Sequence, residues 1–121
     1  MLATFDLAGT VPAPSLVCSF ASHLDAFGRV LRLTDGLTIG RAVQADLPVD
    51  DRGASRLHAR IARRQDGAWM ITDLGSTNGT FVNGVRVRSA VLRDGDEIRV
   101  GAVTAFRFSA RGDLRRTALA A

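Results

Sequence analysis

The chain has 121 residues, a length that favours a single domain with one hydrophobic core. Hydrophobic residues make up 46% of the sequence, too many for a disordered chain, and the single cysteine, Cys18, excludes an intrachain disulfide. The net charge is +4 and lysine is absent, so arginine supplies the cationic side chains, which suit phosphate and carboxylate but do not choose among nucleic acid, acidic peptide and phosphopeptide.

The N-terminal segment carries no sign of a targeting or membrane segment. Residues 1–15 hold Gly9, Pro12 and Pro14 among small residues, and we expect a flexible leader. They lack the basic region and apolar block of a signal peptide, and no apolar run in the chain approaches the length of a membrane span. We therefore expect a cytoplasmic protein without a membrane span.

Short apolar runs separated by turn signals follow the leader. Because many of them alternate apolar and polar residues, they predict strands. Asn83-Gly84 lies between two such runs, and this dipeptide favours a tight hairpin because both residues accept positive φ. No window keeps a helical period over ten residues, so the pattern predicts an all-β sandwich or barrel. The predicted strands are 16–20, 29–33, 37–39, 57–63, 69–73, 80–82, 85–87, 97–100 and 103–108.

The alternation stops after the last predicted strand. Residues 110–121 contain Arg111, Arg115 and Arg116 and end in small residues. They predict a C-terminal tail, either a short helix or a disordered segment. We therefore expect one domain over residues 16–109.

Three polar, glycine-marked segments lie at the ends of predicted strands. They are 40–41, 55–58 and 75–80. Loops at one end of a sandwich can converge on one site, and these loops offer guanidinium groups, hydroxyls, an amide and main-chain N–H groups. That set suits a phosphate ester on a peptide. The glycine-rich segment 75–79 lacks the lysine and the following helix of a nucleotide-binding loop.

The order and spacing of these segments resemble the forkhead-associated (FHA) family. The resemblance lies in Ile39-Gly40-Arg41, Ser55-x-x-His58, the stretch 76–84 and the stretch 92–101, and it covers about residues 16–109. It implies a sandwich of two twisted, mostly antiparallel sheets with about eleven strands and ligand loops at one end. It also implies a module that binds phosphothreonine segments of protein partners and acts downstream of a Ser/Thr kinase.

The resemblance also implies a role for each matching position. Arg41 and Ser55 would contact the phosphate, and Arg56 would add a contact to the phosphate or the peptide main chain. Thr77 would touch the phosphate or the adjoining backbone, and Asn78 would bind the peptide main chain beside the phosphothreonine. The positions that would shape the loops without touching ligand are Gly40, His58 and Gly79.

The residues that would read the ligand beyond its phosphothreonine are less defined. The candidates are the loop 50–54 and the segment near Gly101-Ala102. We expect Asp50 and Asp51 to disfavour acidic ligand residues by repulsion between like charges.

Other classes of function have weaker support. A nucleic-acid binder needs a contiguous basic face and usually aromatic stacking platforms, and only 6% of the residues are aromatic. A scaffold without phosphate dependence is a further alternative, against which Arg41, Ser55 and Asn78 argue. Paired carboxylates, a catalytic triad and metal-ligand spacing are all missing, so we expect neither an enzyme nor a metal or other cofactor. His58 is better explained as a structural residue than as a general base.

Two threonines outside the predicted domain suggest a tethered ligand. Thr10 lies in the leader, and Thr117 follows Arg115-Arg116, which resembles a site for a basophilic kinase. If either were phosphorylated it could occupy the chain's own site, because tethering gives a high effective concentration.

Overall fold

The computed structural model describes residues 13–20 and 28–111, and in these ranges the chain forms strands and turns without a helix. The all-β prediction is confirmed, and no helix in these ranges is long and apolar enough to cross a membrane. The described strands are β1 (Ser15–Phe20), β2 (Val30–Arg32), β3 (Leu37–Gly40), β4 (Leu47–Pro48), β5 (Ala59–Arg63), β6 (Trp69–Asp73), β7 (Thr80–Val82), β8 (Val85–Val87), β9 (Ser89–Val91), β10 (Glu97–Val100) and β11 (Thr104–Ser109).

The strands form two sheets. The six-stranded sheet has the order β2-β1-β11-β10-β7-β8, and the five-stranded sheet has the order β4-β3-β5-β6-β9. The neighbouring strands pair antiparallel except β3 and β4, which are parallel. Apolar side chains from both sheets form one core, as expected for a sandwich. The core residues that are at most 2% exposed are Leu16, Ile39, Ala59, Ile61, Ile71, Ile98, Val100 and Phe108.

The predicted hairpin at Asn83-Gly84 is present. Asn83 has φ 52° and Gly84 has φ 81°, and β7 and β8 pair antiparallel on either side of them. Positive φ at both central residues is the geometry of a type I′ turn, which matches the twist of the flanking strands. The side chain of Asn83 also accepts a hydrogen bond from Glu97 N–H and donates one to Asp96, so the turn is tied to the start of β10.

Strand direction brings the polar loops to one end of the sandwich. β3 runs toward the loop that begins at Arg41, and β5 starts directly after His58. β6 ends at Asp73 and β7 begins at Thr80, so the loop between them lies at the same end. The β10–β11 turn at 101–103 joins them there, because β10 pairs antiparallel with β7.

Some predictions fall outside the described residues. They concern most of the leader, the tail beyond residue 111, and the two candidate phosphorylation sites, Thr10 and Thr117.

Candidate functional site

Ser55 connects its own loop to the two other polar loops, which contain Arg41 and Thr77. The main-chain N–H of Arg41 donates to the Ser55 carbonyl at 2.9 Å, and the Thr77 N–H donates to Ser55 Oγ at 3.1 Å. The Ser55 N–H in turn donates to His58 Nδ1 at 2.9 Å. Since Oγ is used here as an acceptor, its own proton remains available for an acceptor such as a phosphate oxygen.

The Arg41 side chain is exposed and held in place from one side. Its Nε donates to the Ala54 carbonyl at 3.1 Å, and the terminal nitrogens have no hydrogen-bond partner among the described residues. A guanidinium fixed through Nε presents its two outer nitrogens as a fork, the geometry that binds a phosphate through two oxygens. The Arg41 side chain is therefore fixed at Nε, while its two terminal nitrogens can donate to a ligand.

The other predicted contact residues lie on the same loops. The Asn78 side-chain amide donates to the Gly53 carbonyl at 2.8 Å, which joins the β6–β7 loop to the β4–β5 loop. Thr77 and Arg56 are exposed, and neither side chain makes a hydrogen bond within the described ranges. The structure thus brings Arg41, Ser55, Thr77 and Asn78 together through hydrogen bonds, while only the main chain of Arg56 is fixed.

His58 is fully buried and connects the loops. Because Nδ1 accepts from the Ser55 N–H, the ring proton lies on Nε2, which donates to the Gly79 carbonyl at 2.8 Å. The His58 main chain also pairs with Ile39 and Leu74. With both ring nitrogens engaged and no solvent contact, the imidazole has the geometry of a structural brace.

Two glycines allow the loops to pack closely. A Cβ on Gly40 would overlap the Arg56 carbonyl, so only glycine permits this approach of β3 to the β4–β5 loop. Gly79 has φ 94°, and a Cβ there would also meet the side chain of Arg86.

Asp73 organises the β6–β7 loop, a role that the sequence did not reveal. Its Oδ2 accepts from the N–H groups of Gly75 and Ser76, and its Oδ1 accepts from the hydroxyls of Ser76 and Thr80. Ser76 Oγ then accepts from the Gly79 N–H at 2.9 Å. Burial raises the pKa of the carboxyl, but the four hydrogen bonds outweigh it and hold the pKa below its ordinary value.

Asp51 joins the β4–β5 loop to the β10–β11 turn and is 4% exposed. Its carboxylate accepts from the N–H groups of Gly53, Ala102 and Val103 and from the Thr104 hydroxyl, at 2.8 to 3.1 Å. Burial raises its pKa, yet these bonds together bring the pKa below its ordinary value.

The expectation that Asp51 repels acidic ligand residues is therefore wrong. Its charge is buried and all its partners are within the protein, so it does not face a ligand. Asp50 is exposed, and its expected effect stays a prediction. A repeated aspartate in a polar loop did not show which of the two is buried. In the structure, Gly101 lies against Asp51, because a Cβ at position 101 would meet the Asp51 carboxylate.

Within the described ranges, histidine, cysteine, aspartate and glutamate nowhere form a group of three that could hold a metal ion. The carboxylates of Asp51 and Asp73 are occupied by hydrogen bonds inside the loops. The site is thus an array of hydrogen-bond donors with exposed arginines, suited to an anion.

Comparison with known proteins agrees with this geometry. The family model of the FHA domain matches residues 37–101. An oxoglutarate dehydrogenase inhibitor from Corynebacterium diphtheriae is 47% identical over 64 residues, which cover 53% of this chain and 44% of that protein. The chain thus spans less than half the length of that relative.

Solved structures agree as well. One from a structural and functional analysis of phosphothreonine-dependent FHA domain interactions has 34% identity and a TM-score of 0.68, and the match covers 80% of this chain and 95% of that one. Mycobacterium tuberculosis EmbR in complex with a low affinity phosphopeptide has 30% identity and a TM-score of 0.71, with 84% of this chain and 25% of that chain covered. This chain belongs to the FHA domain family, whose members are interaction modules.

Proposed function

We propose that this chain is a phosphothreonine-dependent protein interaction module in Ser/Thr kinase signalling, and that it has no catalytic activity of its own. The observation that carries the proposal is the convergence of Arg41, Ser55, Thr77 and Asn78 at one end of an FHA domain. The guanidinium fork and the hydroxyl proton would bind the phosphate, and charge-assisted bonds of this kind contribute about 1.5–3 kcal/mol each.

Each residue of the candidate site offers a different donor or acceptor to a phosphopeptide. Arg41 has an anchored stem with free donors, and Ser55 and Thr77 offer hydroxyls beside it. Asn78 keeps its Oδ1 without a hydrogen-bond partner among the described residues, so it can accept from a peptide N–H while its amide holds Gly53. We propose Arg56, whose side chain is exposed, as an added contact to the phosphate or the peptide main chain.

A nucleic-acid function has less support. Trp69 packs against the core, and the Arg99 guanidinium carbon lies 4.3 Å from the centroid of the Phe81 ring, so neither ring is fully free for stacking with bases.

Binding to three peptide pools tests the proposed function. The pools carry phosphothreonine, threonine or phosphoserine at one fixed position among degenerate residues. We expect selective retention of the phosphothreonine pool, with a sequence preference that can be determined from the retained peptides. Equal retention of all three pools, or retention of none, would contradict phosphothreonine dependence. Binding to DNA or RNA that falls steeply with salt, together with indifference to peptide phosphate, would support the nucleic-acid alternative.

We further propose that the partner is a phosphorylated protein in the cytoplasm. The chain's own phosphorylated Thr10 or Thr117 remains a candidate ligand, although both residues lie outside the described ranges. Unchanged binding of an external phosphopeptide by stoichiometrically phosphorylated protein would exclude the tethered ligand.

A further inference from the structure

A cavity of about 560 Å³ opens at the end of the sandwich opposite the ligand loops. Pro14 precedes β1, Asp35 precedes β3 and Ala110 follows β11, and all three residues line the cavity. Because β3 runs toward the ligand end and β11 runs away from it, the start of β3 and the end of β11 lie at the far end. Cavities of about 300–1,000 Å³ have the size that holds a small molecule, so this one is a second candidate site.

Residues of the hydrophobic core open onto the cavity. Leu33, Leu92 and Phe108 line it and are at most 6% exposed. Trp69 also lines it, and this residue is half-buried and packs against the same core. A ligand with an apolar body would therefore be removed from water by residues whose positions the core already fixes.

The charged residues that line the cavity are Arg32, Arg63 and Asp35. The Asp35 carboxylate accepts from the Arg63 main-chain N–H at 2.9 Å, and the Arg63 guanidinium lies against the turn at Gly67, where a Cβ would be 3.8 Å from Nη2. Arg32 is exposed on the edge strand β2, and its side chain has no hydrogen-bond partner among the described residues. Guanidinium groups outnumber the carboxylate, so the charge favours an anionic ligand, for which Arg32 has donors available.

We propose that this cavity binds a small organic anion with an aromatic or aliphatic body. The apolar body would lie among Leu33, Trp69 and Leu92, and its acid group would pair with the Arg32 guanidinium. The inference does not rest on the proposed function, because the cavity residues lie outside the loops that bear the proposed phosphate contacts. An anion bound here would occupy the domain together with a phosphopeptide rather than compete with it.

Trp69 provides the measurement, because it is the only tryptophan in the chain. The probe is anilinonaphthalene sulfonate, an aromatic sulfonate, and phenylnaphthylamine is its uncharged counterpart with the same apolar body. Quenching of the Trp69 emission by energy transfer to the probe gives Kd for the full chain.

Two variants alter the cavity and a third is the matched control. Arg32→Ala removes the cation, and Ala68→Phe places a larger side chain at a position that lines the cavity. Arg88→Ala is the control, since Arg88 is exposed and follows β8 at the ligand end. Thermal unfolding of each variant shows that it is folded.

We expect saturable quenching of Trp69 by the sulfonate, with an affinity about threefold or more above that of the uncharged counterpart. Arg32→Ala should weaken binding of the sulfonate about threefold to tenfold, Ala68→Phe should weaken it as well, and Arg88→Ala should leave it unchanged. A phosphothreonine peptide should not displace the probe.

Three results would overturn the inference: no saturable quenching, an affinity that both cavity variants retain, or displacement of the probe by the phosphothreonine peptide. Equal affinity for the uncharged counterpart would overturn the assignment of an anion. The absence of saturable quenching would leave the proposed function standing, because phosphopeptide binding is measured at the other end of the sandwich.

Discussion

The imidazole of His58 makes one hydrogen bond to each of two loops, through the Ser55 N–H and the Gly79 carbonyl. Both partners belong to segments that carry proposed ligand contacts. Because the ring is fully buried, its loss would leave a cavity and two unpaired polar groups.

We therefore predict that His58→Ala lowers the free energy of unfolding by about 3 kcal/mol. Urea unfolding measures this loss, and affinity for a phosphothreonine peptide should fall as well, although His58 does not face the ligand. Arg63→Ala, at an exposed residue near the opposite end of β5, is the control and should change stability little. If His58→Ala lowered the free energy of unfolding no more than the control does, His58 would not be a structural brace.

The sequence marked some residues of the candidate site and missed others. The family's pattern marks Arg41, Ser55, Thr77 and Asn78, and the structure brings them together. Their contacts with a ligand stay a prediction. Asp51 and Asp73 were missed, since an acidic residue in a polar loop looks the same in sequence whether it faces solvent or accepts four hydrogen bonds. The donors are main-chain N–H groups and hydroxyls, and Asp51 takes three of its four from Ala102, Val103 and Thr104, about fifty positions away.

Among the elements, the β7–β8 hairpin has the clearest local cause. Gly84 has φ 81°, and a Cβ at this position would meet nothing within 4 Å. A side chain at position 84 would therefore lower the free energy of unfolding because of the positive φ, and not because of a clash with neighbouring atoms.

We predict that Gly84→Ala lowers the free energy of unfolding by about 1 kcal/mol. Chemical denaturation measures this change. Gly67→Ala is a second test, because φ there is 89° and the nearest neighbour atom would be at 3.8 Å, an ordinary contact. Ser89→Ala, at an exposed position in β9, serves as the control. If both glycine variants were as stable as the control, the positive φ would carry no cost.

Two strands were not predicted, and both lie at edges of the five-stranded sheet. β4 has two residues and includes Pro48, which cannot donate to a ladder and is tolerated at an edge. β9 contains Ser89 and Ala90, which have little intrinsic preference for a strand. Both depend on pairing with a neighbouring strand rather than on a local pattern, whereas the central strands alternate clearly and were predicted within a few residues of their ends.

For the molecule as a whole, Asp51 is one of the polar contacts that tie the two sheets together at the ligand end. It lies in the loop after β4 of one sheet and accepts from the turn before β11 of the other. The pKa of its carboxyl is held below its ordinary value in the folded chain. Its contribution to stability is therefore fully present well above pH 4 and is lost as the pH falls through the lower, folded value.

We predict that Asp51→Asn lowers the free energy of unfolding by about 2 kcal/mol at neutral pH, because the new amide would face donors. The difference from the wild-type chain should shrink as the pH falls below about 4. Denaturant titrations between pH 7 and pH 3 measure both effects. Glu97→Gln, at an exposed position, is the control. A difference that stayed constant across this range would argue against a stabilising ionised carboxylate.

The proposed function requires phosphate binding at one end of the sandwich, and titration of a phosphothreonine peptide against Arg41→Ala tests this most directly. Arg63→Ala is the matched control, since Arg63 is also exposed but ends β5 at the opposite end. We predict that Arg41→Ala weakens binding about tenfold or more, because a charge-assisted fork is lost, while the domain stays folded. Arg63→Ala should bind as the wild-type chain does. Equal affinity of the wild-type chain and both variants would remove Arg41 from the site and contradict the proposed phosphate-binding site.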